Sequence, residues 1–99
     1  MAEQRASSSE TIGVIEVRGM LDAATVVDAM FKAAIIKHER SLRVGSGWIA
    51  VWISGDVNGV NTAVDSAYQA LPESSDARSC VFTLPSDAIR QFMMTPVAA

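Results

Sequence analysis

The sequence predicts an α+β fold, an α/β sandwich in which four strands form one antiparallel sheet and helices cover one of its faces. Three observations support this prediction. The chain has 99 residues, the length of a single domain, and its hydrophobic fraction of 49% is ample for a core. The hydrophobic periodicity changes along the chain in the order β-α-β-β-α-β. Glycine, aspartate and proline stand at the boundaries between these segments.

The first strand and the first helix follow a polar N-terminus. Residues 1–10 are poor in hydrophobic side chains, which predicts a disordered tail. Residues 11–18 alternate and are rich in valine and isoleucine, which predicts a strand that ends at Gly19. The segment 21–36 predicts a helix capped by Asp22. Its apolar stripe has helical spacing and comprises Val27, Met30, Phe31 and Ala34.

Two strands joined by a tight turn occupy the middle of the chain. Residues 37–44 predict a polar strand, and residues 45–47, with the sequence Gly-Ser-Gly, predict the turn. Residues 48–54 predict a strand that is apolar on both faces, with Trp48 and Trp52 on the same face. These two tryptophans fit either a core position or a contact surface, since aromatic residues are enriched at the centres of interfaces.

The second helix precedes the last strand. Asp56 is the expected cap of a helix over residues 56–71, and Gly59 within it indicates close packing. The apolar stripe of this helix comprises Val57, Val60, Val64, Ala67 and Leu71. Residues 72–78 predict a loop, and residues 79–84 predict a strand that stops at proline 85.

A short helix over residues 86–93, capped by Ser86, completes the predicted domain. We expect the domain to span residues 11–92 and residues 93–99 to form a flexible end. The ferredoxin-like order of the elements leaves the second face of the sheet bare, to meet water or another subunit.

The composition disfavours several classes of function. The net charge of −3 and the scattered basic residues argue against nucleic acid as a partner. No nucleophile, base or ligand cluster indicates an enzyme, a metal site or a cofactor. The lone cysteine, Cys80, is expected to be buried and inert, and the lone histidine, His38, to be structural or solvent-exposed.

The sequence also predicts where the chain resides. The N-terminus lacks the apolar region of a signal peptide, and no segment approaches the ~20 apolar residues that span a membrane. A single cysteine fits a reducing compartment. We therefore expect a cytoplasmic protein without a membrane partner.

Five ordered pieces of the chain resemble the hexamer-forming, single BMC domain shell proteins of bacterial microcompartments. The pieces are IGVIEVRG (12–19), DAMFKAA (28–34), RVGSG (43–47), SGDVNGVNTAVDSA (54–67) and VFTLP (81–85). Each piece is weak alone, but their order and spacing together are specific. The resemblance implies six-fold rings that tile edge to edge into a sheet enclosing enzymes. It also implies other shell proteins as partners, including pentameric vertex subunits.

The resemblance implies roles for particular residues. The loop of Gly45, Ser46 and Gly47 would line a central pore for small polar metabolites, and Lys32 would lie at the hexamer edge. Arg43 is a candidate charge at the pore mouth, with a solvated surface charge as the alternative. Many members of this family have an arginine where Ser86 stands, so contacts between hexamers are expected to differ here.

Two other classes of function remain open from the residues alone. One is a small-molecule-sensing regulatory domain with the same β-α-β-β-α-β order, which would bind its ligand at a subunit interface. The other is a small enzyme, for which the sequence offers no convergent catalytic group.

Overall fold

The computed structural model describes residues 10–95. The tail predicted over residues 1–10 therefore lies outside the described residues, except for Glu10, and so do residues 96–99 of the predicted flexible end. Seven elements follow one another along the chain. They are strand β1 (Thr11–Arg18), helix α1 (Met20–Ala33), strands β2 (Lys37–Gly45) and β3 (Trp48–Gly55), helix α2 (Val57–Ala70), strand β4 (Ala77–Phe82) and helix α3 (Asp87–Met94). The predicted order β-α-β-β-α-β with a final short helix is confirmed.

The four strands form one antiparallel sheet in the order β2-β3-β1-β4. The two strands richest in valine and isoleucine, β1 and β3, are its central pair, and the more polar β2 and β4 are its edges. Ile15 of β1 pairs with Val51 of β3 on one side and with Ser79 of β4 on the other. The predicted antiparallel sheet is therefore confirmed.

The main core lies between the sheet and the two long helices. From α1 it takes Ala23, Val26 and Met30, and from α2 it takes Val60, Ala63, Val64 and Ala67. The predicted stripe of α1 is confirmed for Met30, which is buried, and for Val27 and Ala34, which pack against the core. It was wrong at Phe31, which is 40% exposed, and it missed Val26, which is fully buried. In α2, the predicted Val57 is exposed, and Leu71 is partly buried against the core.

The two long helices begin in different ways. The Asp56 side chain accepts a hydrogen bond from the Gly59 N–H at 2.6 Å, which confirms the predicted cap of α2. The predicted cap of α1 by Asp22 was wrong. That helix begins at Met20 after Gly19, without a side-chain cap, and Asp22 lies in its first turn. A carboxylate in the first turn still favours the helix through the helix dipole.

The second face of the sheet is not bare, which corrects the prediction. Helix α3 lies across it, and Met93 forms a small second core with Ile12, Ala50 and Trp52. Trp52 is 7% exposed and meets the half-exposed Phe92 edge to face, with ring centroids 6.4 Å apart. The predicted cap by Ser86 is present, because its hydroxyl accepts a hydrogen bond from the Ile89 N–H at 3.3 Å. The helix runs two residues beyond the predicted domain boundary at 92.

Strand β4 begins and ends two residues earlier than predicted. It runs along one edge of the sheet, where Ala77 pairs with Val17, and Leu84 beyond it is 84% exposed. The expectation of a buried cysteine was also wrong. Cys80 is exposed because β4 has no strand on its outer side.

Candidate functional site

The turn between β2 and β3 has an unusual backbone. Gly45, Ser46 and Gly47 all have positive φ angles, of 98°, 55° and 82°. Positive φ at both central residues is the requirement of a type I′ hairpin turn, and glycine adopts it without steric cost. Gly45 pairs with Trp48, so Ser46 and Gly47 form the two-residue tip, and both are exposed. The tip therefore presents one hydroxyl and peptide groups, with no bulky side chain.

The hairpin tip is fixed beside the start of α1. The Gly19 N–H donates a hydrogen bond to the Gly47 carbonyl oxygen at 2.9 Å. Gly19 itself has a φ of 100°, which a residue with a side chain would adopt only with strain. Thus a bond between residues far apart in the chain holds the tip in place.

Trp48, directly after the tip, lies against two guanidinium groups. The Arg78 guanidinium carbon is 4.2 Å from its ring centroid, and that of Arg18 is 5.2 Å away. Each arginine also has an acidic partner, since Arg78 pairs with Glu16 at 2.6 Å and Arg18 with Asp76 at 3.2 Å. The sequence analysis missed this cluster, because it depends on the register of β3, β1 and β4, which no local signal reveals.

Arg43 lies close to the tip on β2, whereas Arg18 and Arg78 lie on the strands on the opposite side of β3. It lines a cavity of about 360 Å³ together with Met20, Gly45 and Gly47. Among residues 10–95, no carboxylate forms an ion pair with its guanidinium. Its charge therefore remains available beside the hairpin, in contrast with the paired charges of Arg18 and Arg78.

Lys32 lies far from this tip, in the last turn of α1. Its side chain is 75% exposed and its Nζ is 2.9 Å from Asp28 Oδ2, four residues earlier. The hydrogen bond and the charge of Asp28 raise the pKa of Lys32 above its ordinary value. At about 1.5 Å per residue, the helix separates Lys32 from Met20 by roughly 18 Å. The structure therefore does not bring Lys32 and the hairpin into one site.

The remaining candidate residues are dispersed. His38 Nε2 lies 2.8 Å from the Ser41 hydroxyl on exposed β2, and Cys80 lies on the opposite edge strand. Within residues 10–95, no three histidine, cysteine, aspartate or glutamate side chains form a group that could hold a metal ion. In the same part of the chain, the helices are too short or too polar to cross a membrane.

Comparison with known proteins identifies the family. Residues 11–84 match the BMC domain. The chain is 37% identical over 65 residues to the probable carboxysome shell protein CsoS1E of Prochlorococcus marinus, and 35% identical over 65 residues to the major carboxysome shell protein CsoS1A of Halothiobacillus neapolitanus. Each alignment covers 66% of this chain. A microcompartments protein from Desulfitobacterium hafniense has a similar structure, with a TM-score of 0.70 at 26% identity over 91% of this chain.

These relatives are longer than the matched region. The match spans 32% of the Prochlorococcus protein, 66% of the Halothiobacillus protein and 51% of the Desulfitobacterium chain. All three are named as shell or microcompartment proteins, which supports a structural role over the regulatory and enzymatic alternatives. The domain match covers most of the chain and includes every strand of the sheet. The chain therefore belongs to the BMC domain family of bacterial microcompartment shell proteins.

Proposed function

We propose that this chain is a structural subunit that forms cyclic homohexamers, and that these hexamers tile into the shell of a cytoplasmic microcompartment. Membership of the BMC domain family and the carboxysome shell relatives support the shell role. A closed ring arises when one surface of a subunit binds a different surface of the next copy and the rotation closes. In this proposal the shell also contains other shell proteins, including pentameric vertex subunits, and encloses metabolic enzymes.

The hairpin of residues 45–47 is the observation that supports a central pore. Its tip is exposed, has no bulky side chain and is anchored through Gly19. Six such tips fit closely around an axis because glycine allows close approach of backbones. Six Ser46 hydroxyls and nearby peptide groups would favour small polar solutes over apolar ones. Arg43, without an acidic partner, would add positive potential at one mouth.

Lys32 supports the contact between hexamers in this proposal. It is exposed at the end of α1 that lies away from the hairpin, as a residue at the rim of a ring must be when the hairpin lies at the centre. The Lys32 ammonium has three N–H donors. Because Asp28 approaches it from one side, donors remain for carbonyl oxygens of a neighbouring ring. Ser86, in place of an arginine, provides no second cation there and instead caps α3.

The experiment that tests the assembly is native mass spectrometry followed by negative-stain imaging of the purified full chain. We expect a species of six times the 10.5 kDa subunit mass, and flat sheets or tubes at high concentration. A monomer at micromolar concentration would contradict the proposal.

The pore is tested by substituting Ser46. Ser46→Leu replaces six hydroxyls by six isobutyl groups, so the opening narrows and becomes apolar, and we expect slower passage of a small polar metabolite through assembled shells. Ser46→Gly is the matched control, since glycine relieves the positive φ of 55° and widens the opening. Native mass spectrometry of both variants verifies that the ring is retained. Equal flux through intact shells of both variants would exclude Ser46 from the pore.

A further inference from the structure

The two lateral edges of the subunit differ in shape. Helix α1 packs on β1 and β3, and α2 packs on β1, β3 and β4. The helix layer therefore reaches the β4 edge but stops short of the β2 edge. On the helix side of the sheet, Ser41 and Arg43 of β2 are exposed as a ledge beside α1.

An apolar groove lies between α1 and this ledge. Its volume is about 560 Å³, its wall includes Ala24 and Val27, and its floor includes Val51. Ala24 presents only a methyl group, so the wall is shallow and leaves room for a large side chain. Arg43 lies at one end of the groove and has no ion pair among the described residues. Asp28, which pairs with Lys32, also lines the groove, so the groove is an apolar slot with charged groups of both signs on its lining.

The opposite edge carries the complementary features. Tyr68 of α2 is 42% exposed, and a hydrogen bond of 2.9 Å between its hydroxyl and the Ser79 hydroxyl fixes it against β4. A fixed aromatic ring on this edge matches the apolar groove on the other edge in polarity.

The strand register places the groove and Tyr68 at similar distances along the strands from the hairpin tip. Ser79, which holds Tyr68, pairs with Ile15; Ile15 pairs with Val51. Val51 in turn pairs with Ser41 of the ledge. A rotation about an axis keeps every residue at its own distance from that axis, so surfaces that meet in a ring must lie at similar distances from the hairpin tip. The groove and Tyr68 satisfy this condition.

We propose that the groove between α1 and β2 of one copy receives Tyr68 of the next copy. This inference rests on the cyclic assembly proposed above and assigns its subunit interface. The contact is head to tail, since the groove and Tyr68 lie on opposite edges, and it leaves the hairpin and Lys32 outside the interface at the two ends of the subunit.

A cross-linking experiment on the full chain tests the interface. In a Cys80→Ser background, Ala24→Cys combined with Tyr68→Cys should give covalent ladders up to six chains with a short bismaleimide. Each single cysteine variant, as the control, should give no ladder. Oligomers of six by native mass spectrometry with no ladder would overturn this interface while the ring stands. A monomeric wild type would contradict the ring itself.

Truncation of Tyr68 provides a second measurement that does not depend on engineered cysteines. Tyr68→Ala should raise the subunit dissociation constant about tenfold or more, because it leaves the apolar groove of the next copy empty. Tyr68→Phe, as the matched control, should retain most of the affinity, since its ring still fills the groove. If Tyr68→Ala dissociates no more readily than Tyr68→Phe, the contact is refuted.

Discussion

Gly13→Ala should destabilise the subunit, because α2 packs directly on the backbone of β1 at this residue. A Cβ at Gly13 would lie 2.7 Å from Val60 Cγ1 and 3.3 Å from Ile53 Cγ1, whereas ordinary contact begins at 3.4 Å. Val60 and Ile53 are almost fully buried, so neither can move aside into solvent. Overpacking of this kind costs about 1–3 kcal/mol. We expect the free energy of unfolding to fall by that amount in urea titrations at fixed protein concentration.

Two further variants make this prediction specific. Gly59→Ala is the matched control. Its Cβ would lie 3.2 Å from Oδ1 of the exposed cap residue Asp56 and 3.4 Å from the Ile35 carbonyl oxygen, and alanine favours a helix over glycine by about 0.8–1 kcal/mol. Its net effect should be smaller than that of Gly13→Ala. Removing the opposing methyl groups by Val60→Ala should make Gly13→Ala less costly, so the double variant should lose less than the sum of the two. Wild-type stability of Gly13→Ala, or strict additivity, would refute the reasoning.

Two other predictions concern the rim and the second face. Lys32→Asp should leave hexamers intact but reduce their tiling in negative-stain images. Asp28→Asn is the control, because it retains the cation. If Lys32→Asp tiles as readily as the wild type, Lys32 does not lie at the hexamer edge. Asp28 raises the pKa of Lys32 above its ordinary value of 10.5, so Lys32 is charged below pH 10.5 and loses its charge only as the pH rises through the raised pKa. Tiling should therefore decline only in strongly alkaline solution. Met93→Ala should shift the fluorescence of Trp52 to the red, since Met93 packs on that ring, and an unchanged spectrum would show that α3 does not shield it.

The order of the elements could be predicted from the sequence because local signals define it. The alternating valines and isoleucines of β1 and β3 and the Gly-Ser-Gly turn are properties of neighbouring residues. The Asp56 cap was also predictable, because its partner is the N–H of Gly59, only three residues away. Local signals did not always suffice, since the cap predicted at Asp22 was wrong and α1 begins earlier, at Met20 after Gly19.

Several other errors have tertiary causes. Phe31 and Val26 are both apolar, and the packing of α1 on the sheet, rather than spacing alone, decides that Val26 is the buried one. Cys80 looked like a core residue because valine and phenylalanine follow it, but its strand is an edge. The place of α3 on the second face depends on Met93 and Trp52, which are far apart in the chain.

Some features of the functional residues could likewise be predicted from local signals, whereas others depend on tertiary structure. Gly45, Ser46 and Gly47 were located as a turn from composition, and the structure adds the positive φ angles that their types permit. The stacking of Arg18 and Arg78 on Trp48 depends on the register of three strands. A single sequence carries no signal for that register, so the cluster could not be predicted.

A cryo-electron microscopy structure of the wild-type assembly tests the central proposal most directly. The proposal predicts a six-fold ring with the Ser46 hydroxyls facing the axis, Lys32 at the rim, and Tyr68 of one copy in the groove of the next. A ring with the hairpin of residues 45–47 at its outer edge, or an assembly without six-fold symmetry, would contradict it.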